Sequence, residues 1–370
     1  MSAQTAVTRR KPRRTGRYLA ANFMLAVIGA EGGFAIAFGL MPLLEPTSIS
    51  SGSAITDAAI ALSRVTAMAG TYLALVTLLL AARIPWLERE IGQDRLISWH
   101  RKLAPYSLYL IGAHVILVIY GYSGLADSNV WNQYWQFVLR TPWMLPALAG
   151  LVLMVVVGVT SYKRARQRMT YETWWLIHMY SYIGIAIAFM HQIDSGVMFL
   201  NNDKMKNAWI VFYASVFGAI LVFRWIIPFV RNRRHDLRVE KVVRETRNTI
   251  SVVVRGRDVS ELNAKGGQFF GWRFLDGKHW WESHPYSLSA SPRNDRLRVT
   301  IKDLGDASEG VARLKPGTRV MIEGPYGTFT ADKAYSDYAV LIAGGVGITP
   351  IRALLEEIPR NVKVDVIWRA

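Results

Sequence analysis

Trp99-His100-Arg101-Lys102-Leu103-Ala104-Pro105-Tyr106-Ser107-Leu108-Tyr109-Leu110-Ile111-Gly112-Ala113-His114 is a largely apolar stretch with an imidazole near its start and another at its end. Its counterpart is His178-Met179-Tyr180-Ser181-Tyr182-Ile183-Gly184-Ile185-Ala186-Ile187-Ala188-Phe189-Met190-His191. As helices rising 1.5 Å per residue, the stretches separate their histidines by about 21 Å and about 20 Å. An ionisable side chain inside an apolar helix is costly and usually has a partner or a task. One such histidine could be a neutral imidazole bonded to a nearby carbonyl. Four, two at each of two depths, ask for a common explanation.

Outward from these stretches, apolar runs long enough to cross about 30 Å of hydrocarbon recur through the first two-thirds of the chain. They lie near residues 18–44, 55–82, 97–121, 142–160, 173–195 and 207–229 of the 370-residue chain. The 51% hydrophobic content and mean hydropathy of +0.17 agree with a membrane-embedded portion. Residues 1–17 carry Arg9, Arg10, Lys11, Arg13, Arg14 and Arg17. That segment resembles the start of a signal peptide, but the apolar run after it is too long and is read as a retained span.

The formal charge of +17 is concentrated at span ends. Arg83, Arg89, Arg95, Arg101 and Lys102 flank the second connection, Lys163, Arg164, Arg166 and Arg168 fill the fourth, and Arg231, Arg233 and Arg234 follow the sixth span. The positive-inside rule then puts both termini in the cytoplasm of a multi-pass cell-membrane protein. Topology and lipid headgroups account for these clusters, so no nucleic-acid partner is expected. The absence of cysteine excludes disulfides, thiolate-held haem, cysteine-ligated iron–sulfur clusters and covalent c-type attachment.

Spans three and five run in the same direction, so His100 faces His178 at one depth and His114 faces His191 at the other. An imidazole from each side supplies the two axial ligands of an iron porphyrin, and the vertical gap suits two stacked b-type haems. Zinc would want clustered tetrahedral ligands instead. Fourteen residues return to within about 40° of the same helix face, whereas thirteen leave His191 about 140° from His178. Span five is therefore expected to be kinked or overwound, with Gly184 the natural weak point. With both axial positions filled, an acceptor must take its electron at the porphyrin edge. Arg64 in span two is a candidate partner for a propionate or an anionic product, or an arginine that snorkels; Glu31 in the first span says less.

After Arg234 short alternating segments replace the apolar runs and read as a small antiparallel β-barrel over 236–333. Within it, His284-Pro285-Tyr286-Ser287 could lay a ring against an isoalloxazine and reach its N5 edge with a hydroxyl. Gly267-Gln268-Phe269 precedes it, Lys302, Gly305 and Ser308 are placed to meet a pyrophosphate, and Gly324-Pro325-Tyr326-Gly327 closes the unit. FAD is the expected occupant. Residues 335–370 then give a buried strand, the turn Gly344-Gly345-Val346-Gly347-Ile348-Thr349-Pro350, a helix and a second strand. Glycines at a strand-to-helix turn let a dinucleotide phosphate approach the backbone, which suits NADPH or NADH. Arg369 could meet a 2′-phosphate or be an ordinary surface charge. A single β-α-β unit leaves sheet edges uncovered, so the chain is expected to be a fragment.

These residues together resemble the NADPH oxidase and ferric reductase family, over nearly everything from the first span onward. The resemblance implies a six-helix transmembrane bundle over 18–230, a β-barrel FAD domain and the beginning of an α/β nucleotide-binding domain. It implies that His100 with His178 holds the inner haem and His114 with His191 the outer one. Ala61-Leu62-Ser63-Arg64 looks like the family's second-span segment whose arginine sits near the outer haem. Members that make superoxide often carry a further histidine where this chain has Val118, and the family's Cys-Gly-Pro region and terminal aromatic have no counterpart here. The implied activity passes electrons from NAD(P)H through FAD and two haems to oxygen or a ferric chelate. Rival readings are a haem-carrying relay fed by a partner protein, and a transporter or channel with structural histidines. Oligomeric state has no signal in the sequence.

Overall fold

The computed structural model describes residues 51–369 apart from 201, 277–281, 294, 303–309 and 334–335, together with glycines 29 and 33. The first expected span, Glu31, the basic segment before them, Gly305 and Ser308 thus lie outside the described residues.

Helix α1 (Ala54–Ala81) leads through a short α2 (Pro85–Ile91) into α3 (Gln93–Leu125), α4 (Val130–Arg140) and α5 (Met144–Ser161). Then come α6 (Tyr171–Ile187), α7 (Phe189–Ser195), α8 (Asp203–Ile220) and α9 (Ile227–His235). Five apolar rods among the described residues are long enough to cross a membrane: α1, α3, α5, α6 with α7, and α8 with α9. They match the second to sixth expected spans. The outward face of α5 bares Leu145, Val152, Val155 and Val159, as a lipid-facing helix does.

Helix contacts within the bundle run through small residues, which let backbones approach where no water drives association. On α3, a Cβ at Gly121 would meet Ile60 Cγ1 at 2.6 Å, and one at Gly124 would meet Thr56 Oγ1 at 2.6 Å. Gly150 of α5 crosses Gly184 of α6 so closely that a Cβ on Gly150 would lie 2.5 Å from the Gly184 carbonyl. Between α8 and α9 the ladder widens into a π-helical turn, Leu221–Ile226. Pro228 lacks an N–H for the Arg224 carbonyl and its ring crowds that oxygen, which accounts for the widening.

The expected irregularity in span five is present. Helix α6 ends at Ile187, Ala188 forms a turn, and α7 resumes at Phe189. The break falls four residues beyond Gly184, the weak point suggested by composition. The Ala188 carbonyl accepts instead from Gln192 Nε2 at 3.2 Å. Gly184 is packed closely against Gly150, and the break falls one turn later.

The β portion departs from the expected closed barrel. Its six strands form two three-stranded antiparallel sheets, β1 (Arg238–Thr246), β2 (Thr249–Arg255) and β5 (Arg296–Lys302), and β4 (His284–Ser287), β3 (Phe269–Phe274) and β6 (Val320–Tyr326). Among the described residues the two sheets meet through isolated bridges, Arg238 to Arg319 and Leu288 to Val299, and a few backbone hydrogen bonds such as Val320 N–H to the Leu237 carbonyl at 2.8 Å, not through a continuous ladder. Strand β4 has four residues, one of them Pro285, too short a donor row to continue the ladder onto β5. The sheets enclose Phe270, Trp272, Val252, Val299 and Leu288, all fully buried, as the alternating pattern of β3 and β5 requires.

Strand β7 (Tyr338–Gly344) pairs in parallel with β8 (Lys363–Arg369), linked by α10 (Ile348–Leu355). Two side chains of α9 seat the membrane part on β6. Asn232 of α9 mimics a strand edge, Nδ2 donating to the Ile322 carbonyl at 2.9 Å while Oδ1 accepts from the Ile322 N–H at 2.7 Å. Arg231 donates to the Gly324 carbonyl at 2.5 Å. The α2–α3 turn reaches the same region at Thr328, 4.0 Å from a Cβ built on Gly92.

Candidate functional site

The bundle brings the first pair of histidines face to face. The rings of His100 on α3 and His178 on α6 have centres 5.9 Å apart. Two imidazoles bound at about 2 Å to one metal from opposite sides would have centres about 6 Å apart. His100 Nδ1 lies 2.8 Å from the Thr77 carbonyl of α1. A carbonyl only accepts, so the proton is on Nδ1 and Nε2 is left with its lone pair, the tautomer a metal ligand needs. His178 Nδ1 meets Ser161 Oγ at 3.2 Å, and its ring stacks on Trp174.

The second pair lines a cavity of 420 Å³ at the other end of the bundle, where His114 and His191 are joined by Arg64, Tyr134 and Gln192. His114 Nδ1 donates to the Ser63 carbonyl at 2.9 Å, repeating one level away the anchoring of His100. His191 Nδ1 is buried without a well-formed hydrogen bond, although the Ala188 carbonyl lies close. Gln192 accepts from Trp209 Nε1 at 3.0 Å and bonds the Tyr213 hydroxyl, which fixes the start of α7 beside the cavity. Val118 lines the same space. A large apolar cavity between two imidazoles, one of them unsatisfied, fits a porphyrin better than it fits a packed core. Among the described residues no cluster of three or more histidines and acids could hold a metal ion by itself.

In the β portion, His284, Pro285, Tyr286 and Ser287 stand on β4 against β3, with Ser287 opposite Phe269 and Tyr286 opposite Phe270. Trp272 Nε1 donates to the Tyr286 carbonyl at 3.0 Å and fixes the strand's height. The Tyr286 ring is half-buried beside His284, with centres 6.0 Å apart. Burial first, then the Glu282 carboxylate, pushes its phenol up to about 12. Two residues beyond the motif, Ser289 Oγ is buried with no partner. Gly267, at φ +88°, is required because a Cβ would strike the Phe329 carbonyl at 2.1 Å. Lys302 is exposed at the end of β5.

The glycine turn closes β7 and opens α10 as the motif demands. A side chain at Gly344, Gly345 or Gly347 would meet nothing within 4 Å, so the turn is an open cradle rather than a packing contact. Thr349 Oγ1 donates back to the Val346 carbonyl at 2.9 Å, and Pro350 sits in the first turn of the helix. Arg369 pairs in register with Gly344 across the sheet.

Other residues of these sites have no signature in the sequence. The carbonyls of Ser63 and Thr77 orient two histidines, yet any residue offers a carbonyl. Arg83 reaches Glu323 at 3.2 Å and lies 4.5 Å over the Tyr326 ring, tying the α1–α2 corner to β6. That contact spans 240 positions of sequence, beyond any local pattern.

Residues 66–189 match the family described as ferric reductase like transmembrane component, and residues 234–330 match the FAD-binding domain family. The first match takes in His100, His114 and His178 and stops two residues short of His191. The chain is 23% identical to probable respiratory burst oxidase homolog protein I of Arabidopsis thaliana, over 61% of this chain and 27% of that protein. It is 26% identical to NADPH oxidase 1 of Mus musculus, over 38% of this chain and 24% of that protein. A flavohemoprotein of Candida albicans is 30% identical over 44% of each. The alignments with the two oxidases thus span about a quarter of their length. Among solved structures, the cytochrome b5 reductase domain of Ulva prolifera nitrate reductase aligns with 37% of this chain and 62% of that one, at 14% identity and a TM-score of 0.32. A ferric reductase like membrane component and an FAD-binding domain thus follow one another in this chain, which is similar to the respiratory burst and NADPH oxidases and, through its membrane match, to the ferric reductases.

Proposed function

We propose that this chain carries electrons from cytoplasmic NADPH or NADH, by way of FAD and two b-type haems, to an acceptor on the far side of a cell membrane. In this reading His100 with His178 would hold one haem iron and His114 with His191 the other. Tyr286 and Ser287, flanked by His284 and Pro285, meet the flavin ring, while Lys302, Gly305 and Ser308 meet its pyrophosphate. Gly344, Gly345, Gly347, Thr349 and Pro350 meet the nicotinamide dinucleotide. When bound, a flavin would supply conversion of a two-electron hydride into single electrons, and haems held by two imidazoles each would supply single-electron exchange.

The chain's own residues prepare these sites. Thr77 and Ser63 carbonyls hold His100 and His114 in the tautomer whose Nε2 is free. The break at Ala188 brings His191 to the cavity that His114 lines. Arg64 offers that cavity a positive charge for a propionate or an anionic product. Basic clusters at the 81–102, 163–168 and 231–234 ends favour a cytoplasmic flavin portion. An inside-negative membrane then helps outward transfer by about 2.3 kcal/mol per electron per 100 mV. The acceptor is oxygen, yielding superoxide, or a chelated ferric ion; superoxide yield per NADPH against ferric-chelate reduction under argon separates them.

The observation that carries the reading is the two imidazole pairs at two depths, two of the rings anchored through Nδ1. Reduced-minus-oxidised spectra of the four single alanine variants test it. Each variant should lose one b-type haem, His100→Ala and His178→Ala the same one, His114→Ala and His191→Ala the other. Unchanged spectra in all four would refute the assignment.

A further inference from the structure

Helix α4 joins α3 to α5 at the end of the bundle remote from the β portion, since the start of α3 is the end that approaches Thr328. Its eleven residues span only about 16 Å, half of what a membrane crossing needs. The N-terminus is well defined, because the Asn129 side chain accepts from the Asn132 N–H at 2.8 Å. Its surface divides into three stripes rather than the two of an ordinary surface helix.

One stripe faces the protein: Gln133 and Val138 are buried, and Tyr134, Phe137 and Val138 line the cavity of His114 and His191. A second stripe, at four-residue spacing, is Trp131, Trp135 and Leu139, exposed by 66%, 42% and 69%. The third is polar and exposed: Asn132, Gln136 and Arg140. Bulky apolar groups in water on one flank, with amides and a guanidinium on the next, make no sense for a helix in one solvent. They fit a boundary, with protein on one side, acyl chains on another and water on the third. Two tryptophans and a tyrosine near the end of a membrane span are also what the headgroup region selects. The apolar stripe is bracketed in sequence by two membrane rods, α3 and α5, so a lipid surface is already at hand.

We propose that Val130–Arg140 is an interfacial helix, lying in the plane of the leaflet remote from the β portion, with Trp131, Trp135 and Leu139 seated in lipid. Because its protein-facing stripe supplies Tyr134, Phe137 and Val138 to the cavity wall, the bilayer holds in place the roof of the cavity. The inference stands on this helix and the neighbouring spans, independently of what the histidines bind.

The chain contains no cysteine, so single cysteines introduced into it can carry a nitroxide label without further substitution. The full chain, reconstituted in phosphatidylcholine vesicles, is labelled at L139C or Q136C, with V152C on α5 as the lipid reference and K315C on the β portion as the water reference. Collision with oxygen, which concentrates in lipid, is compared with collision with a water-soluble nickel chelate. The oxygen-to-nickel ratio at L139C should match that at V152C and exceed that at Q136C severalfold. A ratio at L139C equal to that at K315C would place the helix in water and overturn the proposal. Shielding of L139C from both reagents would mean a protein partner covers it, and would overturn it equally. Independently of labelling, brominated lipid should quench a smaller fraction of tryptophan emission in W131F/W135F than in the unsubstituted chain; an equal fraction counts against it.

Discussion

Replacing Arg83 should loosen the seat of the flavin portion on the membrane portion while leaving both folded. The Arg83 guanidinium is 3.2 Å from Glu323 and both side chains are about a quarter exposed, at 28% and 26%. It also lies 4.5 Å over the Tyr326 ring. In Arg83→Met the stem is kept and the charge lost. Glu323 is not abandoned, because Arg273 stands 3.8 Å away. The ion pair is therefore worth about 1 kcal/mol, the upper end for a partly exposed pair, rather than the larger penalty of a stranded buried charge. The cation–π contact adds about 1 kcal/mol. A local opening free energy lower by about 2 kcal/mol corresponds to about 30-fold faster amide exchange.

That acceleration should be confined to Val320–Tyr326, because β6 is the strand the junction grips, through Arg83 as well as Asn232. Strands β2 and β5, in the other sheet, should exchange as before. Arg83→Lys should restore part of the protection, and the double variant with Glu323→Gln should show a coupling of about 1 kcal/mol. Since β6 pairs with β3, and β3 with the β4 strand carrying Tyr286 and Ser287, transfer between flavin and haem should, on the proposed function, slow without a matching fall in flavin reduction. Unchanged exchange at Val320–Tyr326, or uniform acceleration across both sheets, would show that Arg83 does not position β6.

Gly150→Val should destabilise the bundle by about 2 kcal/mol or more, since even a Cβ there would stand 2.5 Å from the Gly184 carbonyl; a melting temperature equal to that of the parent chain in detergent would mean the two helices part without cost. Burial pushes the Tyr326 phenol up to about 12, above the ordinary value of about 10. The folded chain therefore keeps a proton that the unfolded chain releases between those values. Stability should fall as pH rises across that window and be unaffected below it. Tyr326→Phe should lose less stability than the parent between about pH 10 and pH 12 in calorimetry; identical losses would exclude Tyr326 as a source.

How much of this was legible in the sequence follows from the range over which each feature is specified. The second to sixth spans could be read because an apolar run needs only its own composition. The two histidine spacings showed both the facing pairs and the need for irregularity between His178 and His191. The site of that irregularity was missed by four residues, because Gly184 is packed against Gly150, a partner on another helix. Strands β2 and β5 announced themselves by alternation, yet whether six strands close into one barrel depends on β4, whose Pro285 interrupts the donor row. Helix α4 and the Arg83 junction were not legible: the first turns one of its three faces to the cavity, and the second joins residues far apart in the chain.

The same contrast bears on how the chain is built to work. The features that can be read locally, apolar runs and imidazole spacings, fix where cofactors could lie along the membrane normal. The features that cannot be read locally fix distances between parts: Arg83, Arg231 and Asn232 set β6 against the ends of α1 and α9, and Gln192 sets α7 against α8. Single-electron transfer between separated centres depends on spacing more than on any one contact. The junction should therefore tolerate changes that keep a grip on β6, such as Arg83→Lys. It should not tolerate loss of Asn232, whose amide makes two bonds to Ile322 that no other side chain type but glutamine can offer.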